Sequence, residues 1–350
     1  MRKLQLLLST VLAFLLIGAV YAQDIAEFKP SLQKYGLGKL KKGPKKIYIA
    51  SFNINFETYK EAISYKAAGG FRNSARGEAT AQAAIGINGL QEADIQEKTN
   101  KLYNDFVADL KAKGFEIITP DVAAKTKTYA GWEKSSGPYV IESGLPGVMT
   151  SVPNGYSFFY KKETKEGKKK KGFLSGALVP QKLSNELDDA VIANINLYFM
   201  YSEAGNDFFK NAGGAKVKMF TNYRLIGDYT VAAPKTKGFV RLKGAQTLDR
   251  ITSNVSFAKG KVGLGAETQY DGGLKKDLEI NGVIKKDKVV AYSKQNTETA
   301  TSFKPIVIVG PSYSKLTKWI EVDSKKYTAG MFNAGNKFLS YHVKTFLSNY

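Results

Sequence analysis

The chain has 350 residues, with 52 lysines and arginines against 31 acidic residues for a net charge of +21, and it contains no cysteine. The missing thiols exclude disulfides, thiolate metal sites, a cysteine nucleophile and a lipid on an N-terminal cysteine. Only Arg2, Arg72, Arg76, Arg224, Arg241 and Arg250 are arginine, and lysine lacks the planar fork that grips phosphate and bases, so specific nucleic-acid recognition is not expected. The lysine excess reads as a solvated surface drawn to anionic partners in a salt-sensitive way.

Residues 1–22 read as a secretory signal peptide. Arg2 and Lys3 supply the positive start, residues 4–20 are apolar apart from Gln5, Ser9 and Thr10, and Val20-Tyr21-Ala22 places small residues where a signal peptidase inspects them. Cleavage is expected between Ala22 and Gln23. The run approaches the ~20 residues of a spanning helix, but its small-x-small end and the polar chain beyond favour cleavage. An exported chain without cysteine points to a bacterial envelope, in the periplasm, at the outer membrane or outside the cell. Residues 23–46 scatter Lys29, Lys34, Lys39, Lys41, Lys42, Lys45 and Lys46 among glycines and prolines and read as a basic flexible leader.

Residues 47–56 form the clearest strand. Plain alternation places Ile47, Ile49, Ser51, Asn53 and Asn55 on one side and Tyr48, Ala50, Phe52, Ile54 and Phe56 on the other. One side is apolar; the other turns polar towards its end, as suits a central strand that opens towards solvent or a site. Residues 57–76 read as a polar excursion. Ala79, Ala81, Ala83, Ile85 and Ile87 then alternate up to a turn at Asn88-Gly89. Their small side chains would admit another backbone, which makes them a candidate subunit interface; an ordinary edge strand is the plainer reading.

Ile95, Thr99, Leu102, Phe106 and Leu110 recur at the spacing of one helical face, widened by Tyr103 and Val107. Glu92 and Asp94 open this helix and Lys111 and Lys113 close it, as the helix dipole favours, before Gly114 stops it. A short strand follows at 115–119, then a helix over 121–132 capped by Asp121, a loop over 135–154 and an aromatic strand at 155–160. Pro180 opens the next helix, and 191–201 alternates strictly, with Ile192, Asn194, Asn196, Tyr198 and Met200 on one side. Strands are expected at 216–225, 238–242, 261–270, 274–280, 283–294 and 303–309, with turns at Asp271-Gly272-Gly273 and Asn281-Gly282. A helix from Ser324 ends the chain, its stripe running through Tyr327, Met331, Ala334, Phe338 and Tyr341 or His342.

This order of elements resembles a known family. The strand Lys46-Ile47-Tyr48-Ile49-Ala50-Ser51-Phe52, the helix ending Leu110-Lys111-Ala112-Lys113-Gly114 into Phe115-Glu116-Ile117-Ile118, the later hairpins and the final helix are similar to the periplasmic α/β domain of the curli secretion channel protein and its relatives. The resemblance implies a mixed sheet flanked by helices, an envelope location and ring-like self-association. Members of that family carry a lipid on an N-terminal cysteine, which this chain lacks.

Little in the sequence names a reaction. His342 is the one histidine, and a packed or surface imidazole explains it better than a triad or a zinc site. Ser312-Tyr-Ser-Lys315 fits Ser-x-x-Lys but lacks the companion motifs of penicillin-binding enzymes. Glu186, Asp188 and Asp189 are a dense acidic cluster at a helix end, and Asp271, Asp277 and Glu279 lack calcium-loop spacing. Lys168, Lys169, Lys170 and Lys171, near Tyr156, Phe158, Phe159 and Tyr160, are the candidate anion-binding residues. Trp132 and Trp319 are interface anchors or half-buried covers.

The expectation is a mixed α/β fold: a helix-flanked mixed sheet with an antiparallel hairpin extension and a C-terminal helix. Residues 47–350 form a single domain, any subdivision falling near 203–215. The expected function is a non-enzymatic assembly, scaffold or binding component of the envelope, without a cofactor, acting on envelope proteins or an anionic envelope surface, homo-oligomerisation included. The alternatives are a polymer hydrolase using Glu186 and Asp188, and a salt-sensitive binder of anionic polysaccharide or lipid surfaces.

Overall fold

The computed structural model describes residues 24–66, 79–142, 145, 147–161, 179–204, 216–234, 246–260, 263, 266–292 and 317–350. The signal segment, Lys168 to Lys171, Ser312, Lys315 and the strands expected at 238–242 and 303–309 lie outside them. The first half of the chain forms β1 (Pro30–Tyr35), β2 (Lys46–Glu57), β3 (Tyr59–Lys66), β4 (Ala79–Asn88), helix α1 (Glu92–Ala112), β5 (Glu116–Ile117) and α2 (Pro120–Ala123). Next come β6 (Trp132–Ser136), β7 (Tyr139–Glu142), β8 (Val148–Val152), β9 (Ser157–Lys161), α3 (Val179–Glu186), β10 (Val191–Ala204), β11 (Lys216–Leu225), β12 (Tyr229–Pro234) and β13 (Gln246–Ile251). The remainder is β14 (Asn254–Lys259), β15 (Thr268–Leu274), β16 (Leu278–Glu279), β17 (Lys288–Tyr292), β18 (Thr317–Glu321) and α4 (Ser324–Leu347). Among these residues no helix is long and apolar enough to cross a membrane.

The fold is mixed α/β, built on a mixed sheet and ending in a helix. The main sheet runs β1-β15-β14-β10-β2-β8-β7, with β11 on β10, β16 and β17 on β11, and β5 beside β2. Its central pair, β2 and β10, is parallel, and β14, β15, β1, β8 and β7 add antiparallel neighbours on either side. Helices α1 and α4 pack against each other over one face. The residues α1 buries are Ile95, Thr99, Leu102, Phe106 and Leu110, the stripe read from the sequence. Helix α4 buries Tyr327, Met331, Ala334, Phe338, His342 and Phe346 and leaves Tyr341 exposed. Asp323 accepts from Lys326 N at the start of α4 (3.1 Å), and Ser324 Oγ accepts the first free N–H before α1, that of Gln91 (2.9 Å). Phe257 of β14 joins both helices to the sheet, stacked on Phe346 at 4.0 Å between centroids and on Phe106 at 6.4 Å.

Several expectations are corrected. The leader is not a free arm: Pro30 to Tyr35 pairs with β15, and Leu37 and Leu40 are buried behind it. Its proline and lysines suit an outermost strand, where no further ladder is wanted. The excursion at 57–76 contains β3, paired along β4. Strand β4 is the middle of a three-stranded sheet, β18-β4-β3, rather than an edge. Ala81, Ala83, Ile85 and Ile87 are buried in the main core, so their small size serves packing within the chain and not contact with a second subunit; Ala79 opens the same strand opposite Lys66. Gly86 of β4 lies beneath the Trp319 ring, where a Cβ would fall 2.3 Å from it.

Helix α2 starts at Pro120, whose missing N–H costs nothing at the first helical position, so Thr119 and not Asp121 holds the cap position. Residues 135–154 contain β7, β8 and the end of β6, short strands whose glycines and serines mask their pairing. Asp271-Gly272-Gly273 is no turn but the centre of β15, which pairs with a further strand, β14, at 254–259. Gly272 is glycine because the His342 ring lies on it, 2.3 Å from where a Cβ would stand.

Replacing Phe257 by alanine is expected to destabilise the fold by ~3–5 kcal/mol, read as a lower urea midpoint at unchanged slope; a loss under ~1 kcal/mol would mean that the two helices do not depend on this contact.

Candidate functional site

The register of β2 against β10 creates the site. Ile49 lies opposite Ala193 and Ser51 opposite Asn194, so Ala50 is an extra residue, a bulge within β2. A bulge changes the parity of everything beyond it. Ile47, Ile49, Phe52, Ile54 and Phe56 therefore share the face under α1 and α4, and Tyr48, Ser51, Asn53 and Asn55 occupy the other. The plain alternation read from the sequence is corrected accordingly.

On this second face the cross-strand partners form rows. One runs Ser51 (β2), Asn194 (β10), Ser256 (β14), Asp271 (β15) and Gln33 (β1). The next runs Asn53, Asn196 and Asn254 across β2, β10 and β14, and Asn55 with Tyr198 begins a third. Ser51 Oγ donates to Asn194 Oδ1 (3.1 Å), Asn53 Nδ2 to Asn196 Oδ1 (2.7 Å), Asn55 Nδ2 to Leu197 O (3.1 Å) and Thr150 Oγ1 to Asn55 Oδ1 (2.7 Å). Gln269 Nε2 donates to Asp271 Oδ2 (2.5 Å), and burial holds the Asp271 carboxyl above its ordinary range.

This polar band is bounded by apolar clusters. At one end lie Tyr48, Ile192, Leu183, Leu187, Tyr129 and Phe159, with Trp132 packed on them as a half-buried cover. At the other lie Val148, Met200, Ile226 and Ile251, with Tyr198 against them. Ser51, Asn194, Asn196, Asn254, Ser256 and Asp271 are half-buried, reachable from solvent. Asn53 is 1% exposed, and its Oδ1 has no partner among the described residues. The side chains of Asn254 and Ser256 make no hydrogen bond there either, and the amide nitrogens of Asn194 and Asn196 are unused. Free donors and acceptors thus stand side by side on a half-buried surface.

Above the band, where β2 and β10 end, a buried ionic network closes the sheet. Glu57 accepts from Tyr201 N (3.1 Å), Ser202 N (2.9 Å) and Ser202 Oγ (2.8 Å). The fully buried Arg224 donates to Asp277 (2.7 Å), Asn222 O (2.8 Å) and Ser202 O (3.1 Å), and Asp277 also accepts from Gly227 N (2.8 Å). Every charge here is committed to the fold.

The remaining candidates are dispersed. Glu186 accepts from Thr128 N (2.9 Å), Asp188 faces Lys46 at 3.6 Å, and Asp188 and Asp189 take left-handed backbone in the turn before β10. Glu279 pairs with Lys286 (2.8 Å). Trp319 lies half-exposed over Gly86. His342 is fully buried: its Nε2 donates to Gly273 O (3.1 Å), so its Nδ1 accepts from the Tyr270 hydroxyl (2.9 Å). Among the described residues no three histidine, aspartate or glutamate side chains gather as a metal site would need. A shallow depression of about 490 Å³ between β11 and the 280–286 turn is lined by Asn222, Tyr223, Ile284 and Lys285. The bulge is what sequence reasoning missed; the polar second half of β2 and the alternating asparagines of β10 were the visible signal. No protein-family model matches this chain, and no curated protein or solved structure is significantly similar to it.

Burial pushes the His342 pKa down to about 4 from 6.5. The unfolded chain therefore binds this proton more readily, and the stability that the neutral ring contributes above pH 6.5 is lost as pH falls towards 4, roughly 3 kcal/mol in all. His342→Gln is expected to remove that part of the pH dependence, seen as the difference between wild-type and variant denaturation across this window; two parallel profiles would contradict it.

Proposed function

We propose that this chain is an exported component of a bacterial envelope that works by binding rather than by catalysis, its ligand seated on the polar band of the second sheet face. The observation that carries this reading is a set of polar groups that make no hydrogen bond among the described residues: the side chains of Asn254 and Ser256, the amide nitrogens of Asn194 and Asn196, and Asn53 Oδ1. Half-burying polar groups without partners costs stability. The same face is filled with apolar side chains at both ends, so the fold has an apolar solution that it does not use in between.

Export is supported by Arg2, Lys3, the apolar run and the Ala22-Gln23 junction. The likeness in element order to the curli secretion channel family is consistent with an envelope location and with self-association through surfaces other than β4. A second reading, salt-sensitive attachment to an anionic envelope surface, is favoured by α4, whose exposed Lys325, Lys326, Lys337 and Lys344 share a helix without an acidic residue.

Expressed at full length in a Gram-negative host, the protein is expected in the envelope or secreted fraction with Gln23 as its first residue; a cytoplasmic protein retaining Met1 would refute export. The double substitution Asn254→Val and Ser256→Val is expected to leave thermal stability unchanged or raised, because neither side chain holds a hydrogen bond among the described residues. A loss above ~2 kcal/mol would make the band a structural feature and end its candidacy as a binding surface.

A further inference from the structure

Resting on the reading of the band as a binding surface, we propose that its ligand is a neutral oligosaccharide chain lying across the strands, from Ser51 on β2 towards Gln33 on β1. The hydrogen-bonding inventory is the first reason. The two long rows offer the amides of Asn53, Asn194, Asn196, Asn254 and Gln33 with the hydroxyls of Ser51 and Ser256, groups that together donate and accept in about equal measure. A pyranose ring presents hydroxyls that do both, and a carboxamide can bridge two neighbouring ones. A phosphate or a uronic acid would meet no lysine or arginine in these rows. A cationic ligand would meet only Asp271, whose carboxyl burial disfavours as an anion and whose Oδ2 is already taken by Gln269. An apolar ligand would strand every amide.

Geometry is the second reason. Successive groups of a row sit on adjacent strands about 4.8 Å apart, close to the advance per pyranose unit of an extended glycan. An extended peptide returns side chains to one side only every ~6.6 Å. From β2 to β1 the row crosses five strands, roughly 19 Å, enough for several sugar units. Tyr198, half-buried beside Asn196 on the same face, and Tyr35, exposed on β1 opposite Gln269, place an aromatic ring near each end of the band, where the apolar face of a sugar can stack. Asn53, 1% exposed with its Nδ2 bonded to Asn196, forms the floor of the second row.

The test is isothermal titration of the mature protein with neutral hexasaccharides (β-1,4-glucan, α-1,4-glucan, β-1,4-xylan, β-1,4-mannan and chitin oligomers), with an oligogalacturonate and with vesicles containing anionic phospholipid, each at low and at high salt. Expected is saturable binding of at least one neutral hexasaccharide with an affinity indifferent to salt, weakened ~10-fold by Asn254→Ala and again by Ser256→Ala. Neither variant removes a side-chain hydrogen bond among the described residues, and unchanged melting temperatures would confirm that both are folded. Binding of the acidic oligomer or the vesicles alone, weakened by these same substitutions, would overturn the ligand class and leave the band as a binding surface. Binding to which both substitutions are indifferent would overturn the band itself, and failure of every neutral probe would overturn the proposal.

Discussion

The parallel pairing of β2 with β10, in the register imposed by the bulge at Ala50, is the constraint on which the rest depends. Parallel strands need a long crossover, and here the chain between them supplies α1, which covers one face, and α2, β6, β9 and α3, which contribute to the other. The antiparallel strands added on either side inherit their registers from this pair. Shifting it by one residue would carry Phe52, Ile54 and Phe56 away from Phe106 and the helices and put Asn53 and Asn55 in their place.

The two faces of the sheet obey different economies. Under α1 and α4 packing is mainly apolar and aromatic, with Phe257, Phe346 and Tyr270 in mutual contact and the neutral ring of His342 against Tyr270. His342 is tolerated there because both ring nitrogens are satisfied and because Gly272 makes room for it. On the second face, apolar clusters secure only the ends, and between them the chain retains serine and asparagine side chains that the fold does not fully use. The ionic network at Glu57, Arg224 and Asp277 differs in kind, since each of those charges is bonded within the chain. That contrast separates polar groups that hold the structure from polar groups left unpaired among the described residues.

A strongly basic chain invites an electrostatic account of its function, but the lysines of α4 and the polar band lie on opposite sides of the main sheet. The exposed lysines of α4 lie on the helix-covered side, whereas the band is nearly neutral. Long-range attraction to an anionic surface and short-range recognition of an uncharged ligand can therefore operate at once, the first sensitive to salt and the second not.

Local order was legible in the sequence because short-range periodicity and capping decide it. The face of α1 from Ile95 to Leu110, the stop at Gly114, the start of α4 at Ser324 and the alternation of β10 are set by residues three or four apart or side by side. Half of the candidate site was legible for the same reason, in Asn194 and Asn196. What only the tertiary structure decided is which strands meet and in what register. An extra residue such as Ala50 leaves no compositional mark yet reverses the faces of β2 beyond it; a glycine at 272 reads as a turn until the His342 ring is seen to occupy the space of its missing side chain; and the alanines of β4 look like an interface until β3 and β18 flank them. Each depends on residues distant in the chain, and no periodicity within a single segment encodes such contacts.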